Sequence, residues 1–260
     1  MAGRFYPGDP SQLKAAVEGF LRVEGPEKAI AVIVPHAGYI YSGSVAGAVY
    51  SETVIPDDIV LIGPNHTGLG SPASLMKEGS WETPLGRVRV NSALAGLILD
   101  SAAAFTDDRE AHAQEHSIEV QLPFIQSLNR GASIVPITVM HAGAGECAML
   151  GTAMAGAIKA WGKDVLIVVS SDMNHYERES RTREKDRLAI EQVLALSPGG
   201  LLEVTAGRDI TMCGVVPAAI GMNAALFLGA RKARLVKYST SGETSGDYAH
   251  VVGYAGMMIN

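Results

Sequence analysis

Cysteine, aromatic residues and charge are all scarce in this chain. Cys147 and Cys213 are its two cysteines, too few for a disulfide framework, so a reducing cytoplasm is the expected compartment. Lysine and arginine number 21 against 27 aspartates and glutamates, a net charge of −6. A general nucleic-acid binder carries a basic face, and docking on anionic lipid needs one too, so neither nucleic acid nor a membrane surface is expected as a partner. The opening residues hold no basic stretch followed by an apolar run, and no signal peptide is expected. The sequence has no GxSxG elbow, no P-loop and no GxGxxG after a strand, so hydrolase, nucleoside triphosphatase and dinucleotide readings lack their local signals. Long apolar runs are equally rare. From Ile210 to Ala230 there is no charge, and a spanning helix needs about 20 such residues. Pro217, Asn223 and three glycines interrupt the stretch, which makes it a small-residue core helix rather than a membrane span.

What remains is the composition of an ordinary folded domain. The 260 residues are 47% hydrophobic and 18% charged, which excludes intrinsic disorder. No repeat, low-complexity run or linker divides them, so residues 1–260 form one domain. Asp9 and Pro10 supply an N-cap and a first helical position, opening a helix through Leu13, Val17, Phe20 and Leu21. Continuous apolar runs at 29–34, 59–62, 134–139 and 165–169 predict strands buried on both faces. Helices are predicted at 44–51, 93–101, 117–128 (bent or split by Pro123), 146–161, 183–196 and 217–228. A hairpin is predicted around 81–90, a polar loop at 106–114, and closing strands at 235–240 and 251–259. This alternation predicts an α/β fold with a central, mostly parallel or mixed sheet flanked by helices. Ligands of such sheets bind beyond the carboxyl ends of the strands.

The histidines collect at those ends. His36 follows the first strand in Val34-Pro35-His36-Ala37-Gly38-Tyr39, and His66 follows the second in Gly63-Pro64-Asn65-His66. His141 follows the third, and Asp172 with His175 follows the fourth. Prolines and glycines beside His36 and His66 fix the turns that aim each ring. His36 and His66 read as site residues. Asp172 with His175 reads equally as a site pair or as a turn with a stabilising Asp. His141 and His112, in polar surroundings, read as solvated loop histidines, His250 as ordinary and Cys147 as structural. Glu115 and His116 open the 117–128 segment, where an acid simply complements the helix dipole. Two imidazoles and a third anionic ligand form the layout of non-haem iron and catalytic zinc sites. Asp172, Glu115 and Cys213 are all candidates for the third position. Cys213 precedes the apolar helix, whose N-terminus is expected to favour the thiolate.

Several motifs together resemble the Memo family. They are Ala2-Gly3-Arg4-Phe5-Tyr6-Pro7, the His36 and His66 turns above, Glu115-His116-Ser117-Ile118-Glu119, Gln121-Leu122-Pro123-Phe124, Ser171-Asp172-Met173-Asn174-His175-Tyr176 and Cys213-Gly214. They run in the family's order across nearly the whole chain. Prokaryotic members are also called AmmeMemoRadiSam system protein B, which implies AMMECR-type and radical-SAM proteins as partners. The resemblance further implies a LigB-like fold, that of class III extradiol dioxygenases, which hold Fe(II) with two His and one Glu. His36 and His66 match the two histidine ligands, and Cys213 stands where those enzymes have the carboxylate. His175 matches their acid/base histidine with Asp172 beside it, and Glu115 and His116 are assigned to the surrounding pocket.

A thiolate in place of a carboxylate softens the site toward Fe(II), Cu(I) or Zn and removes the expectation of ordinary catechol cleavage. Three functions follow as expectations. They are a metal-dependent redox protein or oxidoreductase of unknown substrate, a non-enzymatic module binding a peptide or partner protein in the same pocket, and a metal-assisted hydrolase, with an unknown small molecule or peptide as the expected partner.

Overall fold

A computed structural model describes residues 1–22 and 25–260. The chain opens with α1 (Pro10–Phe20), whose Asp9 side chain accepts from the Gln12 N–H. β1 (Ala31–Val34), α2 (Tyr39–Glu52) and β2 (Asp58–Pro64) follow. Next come β3 (Ala73–Leu75), the hairpin β4 (Ser80–Thr83) and β5 (Gly86–Val90), α3 (Ser92–Ser101) and the short β6 (Thr106–Asp107). After two 3₁₀ turns come α4 (Leu122–Leu128), β7 (Ser133–Val139), α5 (Ala144–Trp161) and β8 (Val165–Ser170). The last third holds β9 (His175–Glu177), α6 (Glu179–Leu194), α7 (Pro198–Gly207), α8 (Val215–Leu228), β10 (Ala233–Thr240), α9 (Gly242–Ser245) and β11 (Val251–Ile259).

The sheet runs β10-β11-β1-β8-β2-β7-β3-β6, with β5 also on β7 and β9 on β11. Its centre is parallel: β1 pairs β8, β8 pairs β2 and β2 pairs β7, whereas β11 runs antiparallel beside β1 and β3 antiparallel beside β7. The period of two explains the layers. Ala31 and Ile33 face one side with Val60 and Ile62, packed against residues of α3, α5, α7 and α8. Val32 and Val34 face the other with Ile59 and Leu61, under Leu13 and Val17 of α1, Val49 of α2 and Phe124 of α4. Burial on both faces is why these strands are continuous apolar runs. The uncharged stretch beyond Ile210 contains α8, a core helix with its small residues buried. Among the described residues, no helix is long and apolar enough to cross a membrane.

Some elements depart from the sequence reading. α2 starts at Tyr39 rather than near 44, because Gly38 caps it and the Ser42 hydroxyl returns to the Ala37 carbonyl. The 117–128 segment is split, as expected, into a 3₁₀ turn, Glu119–Gln121, and α4, but the division falls before Leu122, and Pro123 sits in the first turn of α4 where its missing N–H costs nothing. Residues 106–114, read as loop, contain β6 and the 3₁₀ turn Glu110–His112. α7 went unread because Gly199 and Gly200 mask a start with a Ser197 cap and Pro198.

Candidate metal centre

His36 leaves the end of β1 two residues past Val34, and His66 leaves β2 two residues past Pro64. Asp172 and His175 follow β8, and His116 arrives from the segment between β6 and α4. All five, with Cys213 from the turn before α8, line one cleft of about 750 Å³ beyond the carboxyl ends of the parallel strands. One ligand nitrogen each from His36, His66 and His116 lie within 4.8 Å of one another. The Cys213 Sγ stands 3.2 Å from the His36 Nε2. His116 therefore joins the nitrogen cluster itself, not only its surroundings.

The outer partners fix how these rings face. Ser170 Oγ donates its one proton to the Ser117 carbonyl, so it accepts from the His36 Nδ1, 2.9 Å away, and from the Gln121 amide. His36 thus carries its proton on Nδ1 and turns the Nε2 lone pair toward Cys213. His66 Nδ1 donates to Glu115 Oε1 at 2.9 Å, and the His66 main-chain N–H donates to the other carboxylate oxygen. The His116 Nδ1 lies 3.4 Å from the same Glu115 Oε1. Rings stack in sequence, with His66 on His116 at 4.7 Å and His116 on Phe5 at 4.3 Å. Glu115 is 1% exposed. Burial pushes its carboxyl up, but the bonds from His66 and from the Ser117 N–H outweigh that and hold it down at about 2. It is a buried carboxylate that orients two imidazoles, not the helix-dipole residue the sequence suggested.

Desolvation, reinforced by neighbouring imidazoles, lowers His36 well below the ordinary histidine range, and burial lowers His116 as well. Both rings are therefore neutral donors at pH 7. The expectation that a helix N-terminus favours the Cys213 thiolate is corrected. α8 begins two residues later, at Val215. The residue is only partly covered, but its sulfur is enclosed between His36 and the Asp172 backbone. Desolvation, with the adjacent Asp172 charge adding to it, pushes the thiol strongly up. Gly214 makes this approach possible, since a Cβ there would stand 2.4 Å from Ser171 Cβ and 2.6 Å from the Ser170 carbonyl.

Asp172 combines its two sequence readings. Its Oδ1 accepts from the His36 N–H at 2.8 Å, holding the β1 turn, and it also lines the cleft. Burial raises its carboxyl pKa, opposed by that bond. His175 donates from Nδ1 to the Thr211 carbonyl at 2.9 Å, which puts the lone pair of the neutral ring on Nε2. Tyr176, beside it, is held at φ 60°, a left-handed position that costs a non-glycine residue about 1 kcal/mol or more and that clusters at functional sites.

Other histidines fall differently. His141 is exposed, as read. His250 lines the cleft, which its place before the last strand did not signal. His112 is 6% exposed instead of solvated, lies against Trp81, and neither ring nitrogen completes a hydrogen bond. Cys147 is buried in the core, as read.

Imidazoles gathered from several strand ends place the chain among α/β proteins whose site sits beyond the parallel strands. Within that class it belongs to the Memo family, since the profile described as Memo-like protein matches residues 1–258. A MEMO1 family protein of Aquifex aeolicus is 43% identical over 262 residues, spanning 100% of this chain and 97% of its own. One of Pyrobaculum arsenaticum is 42% identical over 273 residues, with coverages of 100% and 97%. One of Sulfurisphaera tokodaii is 40% identical over 275 residues, with coverages of 98% and 95%.

Proposed function

We propose that the cleft is a transition-metal centre of a metal-dependent redox protein or oxidoreductase. His36, His66 and Cys213 hold the ion, and His116 supplies a further nitrogen within reach. The observation that carries this reading is the orientation of the donors. The Nδ1 positions of His36 and His66 are committed to Ser170 and Glu115, and the His116 Nδ1 faces Glu115. Anchoring one ring nitrogen to an outer hydroxyl or carboxylate is how proteins prepare imidazoles for a metal. Imidazoles and one sulfur suit Fe(II), Cu(I) or Zn and reject Mg and Ca. Bound Fe(II) or Cu(I) supplies one-electron redox chemistry at such a site, and Zn a Lewis acid. The chain's own contribution is a proton-accepting His175 Nε2 on the same cleft, a buried Asp172 that holds the His36 turn, and aromatic walls that limit water.

The test is elemental analysis of protein purified anaerobically, under reducing conditions and without a metal-binding tag. Near-stoichiometric iron, copper or zinc is the expected result. Metal-free protein that takes up none of the three on anaerobic reconstitution contradicts the reading and leaves a non-enzymatic binding pocket.

A further inference from the structure

His175 sits half-buried on a three-residue strand, next to a strained Tyr176, yet its ring is held in one tautomer. The restraint comes from behind the cleft. Thr211 binds His175 twice: its Oγ1 accepts from the His175 main-chain N–H at 2.8 Å and its carbonyl accepts from the ring Nδ1 at 2.9 Å. Thr211 is itself held by a fully buried amide, because Asn174 Oδ1 accepts from its N–H at 3.1 Å and from its hydroxyl at 3.2 Å. Asn174 in turn rests on α6, where its main-chain N–H donates to Asp186 Oδ1 at 2.8 Å.

Asp186 has no exposed surface and no cationic partner within ion-pair distance among the described residues. Its second oxygen accepts from the Tyr238 hydroxyl at 2.6 Å. β11 leaves room for it at Gly253, where a Cβ would fall 1.8 Å from Asp186 Oδ2. The Gly253 main chain also bonds Asn174 and Met173 on either side of that contact. A buried carboxylate without a counter-ion is costly, and an apolar residue in its place would leave the Asn174 N–H and the Tyr238 hydroxyl without their acceptor. One of its oxygens is tied to Tyr238 on β10, and the other begins a chain through Asn174 and Thr211 to the imidazole.

We infer that Asp186 is a positioning residue for His175: through Asn174 and Thr211 it locks the ring in the Nδ1–H tautomer with Nε2 open to the cleft. The inference rests on the reading that His175 is the proton-handling group of the site. It concerns a segment set by α6 and β11, outside the His36, His66, His116 and Cys213 cluster.

The test is the tautomer of His175 in metal-free protein labelled with ¹⁵N-histidine, read from long-range ¹H–¹⁵N correlations and assigned with His175→Ala. Wild type is expected to show His175 as a single Nδ1–H tautomer. Asp186→Ala is expected to lose that signature, giving a mixture of tautomers while the other histidine signals stay in place. Asp186→Asn, which keeps an oxygen for the Asn174 N–H, is expected to retain it. Thr211→Val, at an exposed position, removes the hydroxyl that joins Asn174 to the His175 main chain and carries the same expected loss if Asp186→Ala does not fold. An Nε2–H tautomer in wild type overturns the inference, as does an unchanged His175 signature in folded Asp186→Ala or in Thr211→Val. Because no metal is present, these outcomes are independent of whether the cleft binds one.

Discussion

The sulfur of Cys213 lies 3.2 Å from the Nε2 of His36, although the two residues are 177 positions apart in the chain. Each is brought there by a separate device. His36 is carried by a buried parallel strand and held by the Asp172 carboxylate at its main-chain N–H. Cys213 is carried on a turn that presses against the end of β8. With the His36 proton on Nδ1, the thiol meets the Nε2 lone pair and can donate to it, and loss of the thiol proton would turn both atoms into donors for an ion.

That turn depends on Gly214. A methyl group there meets Ser171 and the Ser170 carbonyl below contact distance, and neither belongs to a long flexible side chain. Gly214→Ala is expected to destabilise the fold by about 1–3 kcal/mol, the usual cost of overpacking, and to weaken metal binding by moving Cys213. Chemical denaturation and metal titration of the same sample check both.

In the proposed centre Glu115 would act without touching the ion. It receives the His66 ring and main chain and faces His116. Glu115→Gln is expected to weaken metal affinity by roughly 10–100-fold, the range for outer partners of ligating histidines, with little change in secondary structure. Affinity equal to wild type contradicts the assigned role.

Cys213→Glu places a carboxylate beside His36. Hard oxygen in place of soft sulfur shifts preference toward Fe(II) and away from Cu(I). Anaerobic competition between the two ions measures the shift.

His112 gives the fold a pH dependence of its own. Burial lowers it to about 4 against an ordinary 6.5, with Asp108 and Glu115 opposing. The unfolded chain binds the proton more tightly, so this contribution to stability is intact above pH 6.5 and is lost as pH falls from 6.5 toward 4. The loss is about 2 kcal/mol at pH 5, with a limit of about 3 kcal/mol. His112→Phe keeps a ring against Trp81 and removes two unpartnered buried nitrogens. It is expected to match wild type within about 1 kcal/mol at pH 7 and to exceed it at pH 5. Denaturation at the two pH values decides, and equal pH dependence in the two proteins contradicts the assignment.

The strand order is not written in the chain, but the strands themselves are. Residues at 31–34, 59–62 and 165–169 must be apolar on both faces, so the runs are unbroken and legible. His36, His66, Asp172 and His175 were legible for the same reason, because a turn after a buried parallel strand opens onto the ligand crevice. The 106–118 segment was not. His112, Glu115 and Ser117 are polar, and buried polar residues look in sequence like polar residues in water. The third imidazole, His116, was visible only as a pocket neighbour, since nothing local shows that its segment crosses to the strand ends. α7 was hidden because two glycines outweigh a serine cap in any propensity argument.

The central claim is that Cys213 and the strand-end histidines hold one metal ion, and anaerobic competition titration of wild type, Cys213→Ser and Cys147→Ser tests it most directly. Cys147, buried in the core away from the cleft, is the internal control. The account predicts that Cys147→Ser binds as wild type does, while Cys213→Ser loses more than roughly 100-fold in affinity for Cu(I) or Fe(II), beyond what an outer partner alone costs. Equal affinities for wild type and Cys213→Ser would contradict it and take the thiol out of the site.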